Sequence, residues 1–435
     1  MKRILVPFMA LLLVTASSAV VGARRDNRCF GRKPTLRGTA KKDVLRGTAR
    51  VDVIMGLGGN DVIRGLKSRD FLCGGNGDDK IYGGPDMDRH HNVDGPMEEM
   101  SGGQGDDEIH QGGGTGIMWG DPGKDVLNSN GHFGHLYGGA DDDHLIGAGA
   151  SFYGGPGNDV LQGIEGREGE FGSVAGSDTA IYRGAKGPVT GSLIDQTATA
   201  EGLGTDMLVD IDSIEGGPFD DTLIGNNDPN GLLGSGGDDT LVGNGGDDVL
   251  RGDGRADVDG SDDMSGGTGD DEFMPDLQAP GADDTIDGGE GTDLLLPFLG
   301  PMTVDLAEGT STGAGNDTLS GIENVHASLG DDTLLGNDGP NLLIGSCDKD
   351  TIDGRGGDDI LLGEVGPTTN CFSVDDDTIR GGAGNDVITS EQGADDLAGD
   401  DGDDDIDAGR GEDSIDGGPG TDRCAEGERV SNCEA

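Results

Sequence analysis

Apolar side chains recur singly along this chain, often nine or eighteen residues apart, with polar residues and glycine between them. Ile63, Ile81, Ile109, Leu161, Leu241, Leu250, Leu361, Ile388, Leu397, Ile406 and Ile415 each stand two places after an aspartate. The residues before that aspartate are mostly glycine. Each unit therefore reads as a glycine turn followed by a three-residue strand with one inward side chain. No stretch shows the 3.6-residue period of a helix.

The aspartates keep the step over long distances. Asp377, Asp386, Asp395, Asp404, Asp413 and Asp422 lie nine apart, and stepping back from Asp377 meets Thr368, Asp359, Asp350, Asn341 and Asp332. Asp43, Asp52, Asp61, Asp70, Asp79 and Asp88 behave alike, and Asp107, Asp125 and Asp143 lie eighteen apart. The middle carries Asp221, Asn230, Asp239, Asp248 and Asp257, and then, after short slips, Asp262 with Asp271 and Asp284 with Asp293. Phase held over so many units marks a stacked repeat.

Composition changes the picture in one respect. The chain has 88 Gly in 435 residues, is 32% hydrophobic and 3% aromatic, and carries 85 Asp and Glu against 29 Lys and Arg, a formal charge of -56. By charge and hydropathy alone it would stay disordered. The inward column is too thin to offset chain entropy unaided. The same charge argues against nucleic acid as a partner and against insertion into a membrane, and it attracts multivalent cations.

Calcium takes six to eight oxygens from carboxylates and backbone carbonyls. Glycine turns can aim carbonyls inward, and one aspartate per turn adds charge. Two neighbouring turns can share an ion, so folding and ion binding become one equilibrium. The candidate ligands are Asp61, Asp79, Asp107, Asp125, Asp143, Asp159, Asp239, Asp248, Asp271, Asp350, Asp359, Asp377, Asp386, Asp395, Asp404 and Asp413.

Gly74-Gly75-Asn76-Gly77-Asp78-Asp79-Lys80-Ile81-Tyr82 and Gly154-Gly155-Pro156-Gly157-Asn158-Asp159-Val160-Leu161-Gln162 resemble the repeat of the haemolysin-type (RTX) family. The resemblance implies an all-β fold: a parallel β-roll of eighteen residues per turn, with Ca2+ between successive turns on each edge. It also implies secretion and calcium-triggered folding.

Two stretches, 164–219 and 294–331, leave the nine-residue step and resemble each other. Thr205-Asp206-Met207-Leu208 matches Asn316-Asp317-Thr318-Leu319, and Asp221-Thr222-Leu223 matches Asp332-Thr333-Leu334, both offset by 111. They read as strand-rich segments that cover or cap rolls. The expected organisation is then 24–163, 220–293 and 332–423 as three rolls, 164–219 and 294–331 as irregular segments between them, and 424–435 as a tail. Residues 86–151 hold six histidines and Trp119 and are a candidate docking region for an extracellular or cell-surface partner. His132 and His135 form an H-x-x-H pair, read as turn residues rather than a transition-metal site. His110 and His144 fall on strand positions.

Residues 1–23 resemble a secretory signal peptide: Lys2 and Arg3, an apolar run from Ile4 to Val14, and Val21-Gly22-Ala23 for cleavage. An extracellular location follows. Six cysteines in an exported chain suggest disulfides, and Cys29 with Cys73, Cys347 with Cys371 and Cys424 with Cys433 are the nearest neighbours among fifteen possible pairings. Gly309-Thr310-Ser311-Thr312-Gly313 fits the string of serine hydrolases, but no helix follows to make the nucleophile elbow. The leading expectation is a non-catalytic scaffold; a hydrolase or an adhesin using the irregular segments is the alternative.

Overall fold

The computed structural model describes residues 28–85, 97–112, 115–130, 134–164, 178–254, 260–275, 281–296, 300–313, 315–364, 375–427 and 429–433. Residues 1–23, Asp88, His90, His91, His132, Asp257, Thr368 and Cys371 lie outside them.

Each turn-and-strand unit makes half a coil, so alternate units fall in two parallel sheets. In the second sheet Leu45 registers with Ile63, Ile63 with Ile81, and Ile81 with Ile109. In the first, Ile54 registers with Leu72 and Leu72 with Met100. These inward residues are buried to the last atom or nearly so and run from Leu45 to Ile415 as one core. One inward residue per strand leaves both outer faces to solvent, which is why the flanking positions are polar.

The extra strands of the irregular segments enter the second sheet only. Strand β1 (Val189–Ser192) lies beside Thr222–Ile224 of the following coil. Strand β2 (Thr197–Ala200) runs antiparallel to it, and β3 (Gly204–Val209) returns beside Val160–Gln162 of the preceding coil. The chain overshoots, doubles back and resumes. The second segment repeats this with β4 (Thr303–Asp305), β5 (Thr310–Gly313) and β6 (Gly315–Ser320). The first sheet passes both without a break, as Ser151–Tyr153, Thr179–Ile181, Ser213–Glu215 and Gly231–Ser235 pair in order. The segments therefore splice coils together rather than capping them. Alternation drives this: Thr197-Ala198-Thr199-Ala200 buries every second side chain, as a regular antiparallel strand must.

Disulfides join Cys29 to Cys73 and Cys424 to Cys433. Cys347 is also disulfide-bonded; its expected partner, Cys371, lies outside the described residues. Among the described residues no helix is long and apolar enough to cross a membrane.

Candidate calcium sites

Along each edge the aspartates stack into a ladder. The Asp43 N–H donates to Asp61 Oδ1 at 2.7 Å, that of Asp61 to Asp79 at 2.7 Å, and that of Asp79 to Asp107 at 2.6 Å. The same bond joins Asp107 to Asp125, Asp125 to Asp143 and Asp143 to Asp159. The opposite edge joins Asp248 to Asp271 and Asp359 to Asp386. All sixteen candidate aspartates stand on these ladders and are buried.

The ladder bond engages Oδ1. In fourteen of the sixteen, Oδ2 is buried with no hydrogen-bond partner: Asp61, Asp79, Asp107, Asp125, Asp143, Asp159, Asp239, Asp248, Asp271, Asp350, Asp359, Asp377, Asp386 and Asp404. A buried carboxylate oxygen left bare is costly unless a cation meets it. Asp262, Asp293 and Asp332 share this state. They obey the same aspartate spacing and were legible from it.

The turns leave room beside these oxygens. Five residues before most of these aspartates stands a glycine whose missing Cβ matters: on Gly56 it would collide with Asp61 Oδ2 and the Gly74 carbonyl oxygen. Gly120 relates in the same way to Asp125 and Gly138, and Gly399 to Asp404 and Gly417. Each cradle thus gathers a carboxylate oxygen of one coil and a carbonyl oxygen of the next. Among the described residues no three His, Cys, Asp or Glu side chains converge to hold an ion by themselves. A donor set rich in carbonyls fits a hard, oxygen-seeking cation and suits calcium better than zinc. When bound, the ion would supply the counter-charge that the bare oxygens lack.

Burial sets the electrostatics. It pushes the Asp107 carboxyl up to about 8, against the opposing backbone N–H of Asp79, and the charges of Asp125 and Asp79 add to the rise. Asp143 and Asp350 are pushed to about 9 and Asp79 to about 6, again first by burial.

Not every rung is of this kind. The residue four before many of the bare aspartates is left-handed: Leu57 at φ 85°, Gly75 at 121°, Asp121 at 74°, Ser235 at 92° and Arg355 at 67°; Ser328, before Asp332, is an exception. At five further rungs that residue is not left-handed, and its N–H closes onto the inner oxygen. Thr39 donates to Asp43 Oδ2 at 2.6 Å, Thr48 to Asp52 Oδ2 at 2.6 Å, and Gly217 to Asp221 Oδ2 at 2.5 Å. Asn226 and Asn337 close Asn230 and Asn341 at 2.6 and 2.8 Å. These closed turns cluster where blocks begin. A third solution uses hydroxyls: Tyr182 on Asp206, Ser311 on Asp317 and Ser390 on Asp395. Asp395 is thus a candidate ligand whose inner oxygen the protein already satisfies. Asp413 stands on the ladder through the Asp395 N–H at 3.0 Å.

Other sequence candidates resolve differently. Ser311 lies on β5, buried and committed to Asp317, with no elbow around it. In Asp238-Asp239 the first residue is exposed and accepts the Ser261 N–H on a separate outer row, so the two carboxylates do not converge. His110 stacks on Tyr82 at 5.1 Å and bonds Glu108, and His144 bonds Gln162. His135 packs near Tyr153, and burial lowers its pKa. Trp119, Tyr137 and Tyr153 stack on the outer face of the first sheet at 5.8 and 4.3 Å.

Fold and cradles together define a parallel β-solenoid with oxygen-lined cradles between its coils. The chain belongs to the family of the RTX calcium-binding nonapeptide repeat, whose profile matches residues 37–88, 135–166, 210–228, 233–273, 281–296, 326–361 and 373–424, together more than half of the chain. Its repeats bind Ca2+. A search of curated proteins found no match.

Proposed function

We propose that this chain is a secreted, non-catalytic scaffold that folds when it meets extracellular calcium. The row of bare, buried Oδ2 atoms carries the reading, because ionised carboxylates in that state need a counter-ion. The signal-like residues 1–23 support export, and the millimolar calcium outside cells suits weak, repeated oxygen sites. Ser311 tied to Asp317 in the core supports a structural use of the segment that carries the hydrolase-like string.

A calcium titration of the full chain, followed by circular dichroism and calorimetry, tests it. The expected result is little β signal in excess chelator and a cooperative gain with calcium. A chain equally folded in chelator overturns the proposal. Mass analysis of the exported product is expected to give an N-terminus at Arg24. Hydrolysis lost in a Ser311→Ala variant would favour the enzyme alternative.

A further inference from the structure

The charge of the rod is not spread evenly. Between residues 28 and 70 there are eleven Lys and Arg against four Asp, in a chain that is otherwise strongly acidic. The four aspartates, Asp43, Asp52, Asp61 and Asp70, are ladder rungs whose carboxylates turn inward. What faces solvent is therefore basic. Lys41, Lys42, Arg46, Arg50, Arg64 and Lys67 are all exposed, on both edges and on the outer face of the second sheet.

Two details point to an anion against this collar. Arg46 and Arg64 are direct register partners on the outer face, a like-charge pairing that costs stability unless something screens it. Among the described residues none of the six joins an ion pair, whereas Lys80, His110, Lys124, Arg183, Arg355, Arg380 and Arg423 do. Lys42 also occupies the outer turn position, one before a rung, where later coils carry Asp78, Asp106 and Asp142.

The opposite end of the rod has the complementary character. Between residues 375 and 427 there are eighteen Asp and Glu against three Arg. Asp401, Asp405, Asp407, Glu412 and Asp416 are exposed on the last coils. Each end also finishes on a strand paired on one side only among the described residues. At the start these are Leu36–Arg37 and Val44–Arg46, and at the finish Arg423–Ala425 and Arg429–Ser431. The two ends thus have the same two-sheet cross-section and the same strand direction, with opposite charge.

We infer that the basic first coils dock on the acidic last coils of a second copy of this chain, joining rods head to tail. A heterologous contact of this kind does not close and produces linear assemblies. Single exposed ion pairs contribute little, but two collars of opposite sign steer the encounter and fix which ends meet. The inference needs the calcium-folded rod; it does not need secretion or the absence of catalysis.

Sedimentation velocity on the full chain in millimolar calcium tests it. Concentration-dependent, elongated oligomers are expected at low salt, dispersing by about 0.5 M salt, where the screening length falls to a few ångströms. A K41E/K42E/R46E/R50E variant is expected to lose at least about tenfold in association. A D401K/D405K/E412K variant is expected to fail alone but to associate with the first when mixed. Circular dichroism in calcium is expected to match the parent for both. A chain that stays monomeric at low salt while fully folded overturns the inference. So does association untouched by either variant, or capture of the collar by dextran sulfate with no self-association, which would assign it to a different polyanion.

Discussion

Two chemically similar aspartates on this ladder do different work. Asp52 has both oxygens engaged by the protein: the Thr35 hydroxyl on Oδ1, and the Thr48 N–H and hydroxyl on Oδ2. Asp107 has Oδ2 bare. Asp107→Asn is expected to lower the number of ions bound and the midpoint of thermal unfolding in calcium, while Asp52→Asn leaves the ion count unchanged; calorimetric titration of both variants checks this. Proton linkage gives a second expectation. Asp79, Asp107 and Asp143 have folded values of about 6, 8 and 9 against an ordinary 3.8, so the ion-free fold holds protons that the unfolded chain has lost. Its stability is then fullest below about pH 4 and falls as pH rises through 6 to 9. In chelator, the far-ultraviolet β signal is expected to grow on acidification, and calcium affinity to weaken in the same direction. The difference between Asp52 and Asp107 was barely visible in the sequence. Thr48 against Gly103 hints at it, yet Gly217 makes a closed turn and Leu57 an open one, because the backbone angle decides.

At the scale of elements, the strand unit was legible and the joins were not. An aspartate two places before a buried Leu or Ile marks a strand wherever it occurs, and the 111-residue offset correctly paired Asp206 with Asp317. Counting by nines fails where coils change size. Asp239 passes its ladder bond to Asp262, which makes a coil of 23 residues where the step predicts 18. Asp350 passes it to Asp377 over 27 residues, where the step predicts 18. Nine inserted residues preserve the count and hide the insertion. The double-back strands escaped for a related reason: a short Thr-Ala alternation shows a strand but not which coil it joins. Their inner carboxylate oxygens are met by side-chain hydroxyls. Tyr182→Phe leaves Asp206 Oδ2 unpaired in the core and is expected to cost about 1–3 kcal/mol, read by urea unfolding in calcium. Ser311→Ala is expected to do the same to Asp317.

For the whole molecule, the continuity of the first sheet past both splices makes one rod of the three expected rolls. The closed turns at Asp43, Asp52, Asp221, Asn230 and Asn341 give that rod points of register that need no ion. Hydrogen exchange in low calcium is expected to show slowest exchange around them and earliest loss around the bare rungs, with protection spreading as calcium is added. The first coils are also tied by Cys29–Cys73, which spans 44 residues. Reducing it is expected to lower stability by about 3–4 kcal/mol, on a chain-entropy estimate, and to loosen that end first.

The first-sheet edge has a gap in its ladder. Between Asp70 and Asp178 the rung positions pass to Glu98, Gly116, Gly134 and Ala150, none of them an aspartate, while the opposite edge keeps Asp79, Asp107, Asp125, Asp143 and Asp159. Over that stretch an ion-dependent seam faces a largely ion-free spine. Withdrawing calcium there would unfasten one side of the stack and leave the other as a hinge, so the rod would gape like a book before it came apart. The binding along that book is the column of stacked Trp119, Tyr137 and Tyr153 rings.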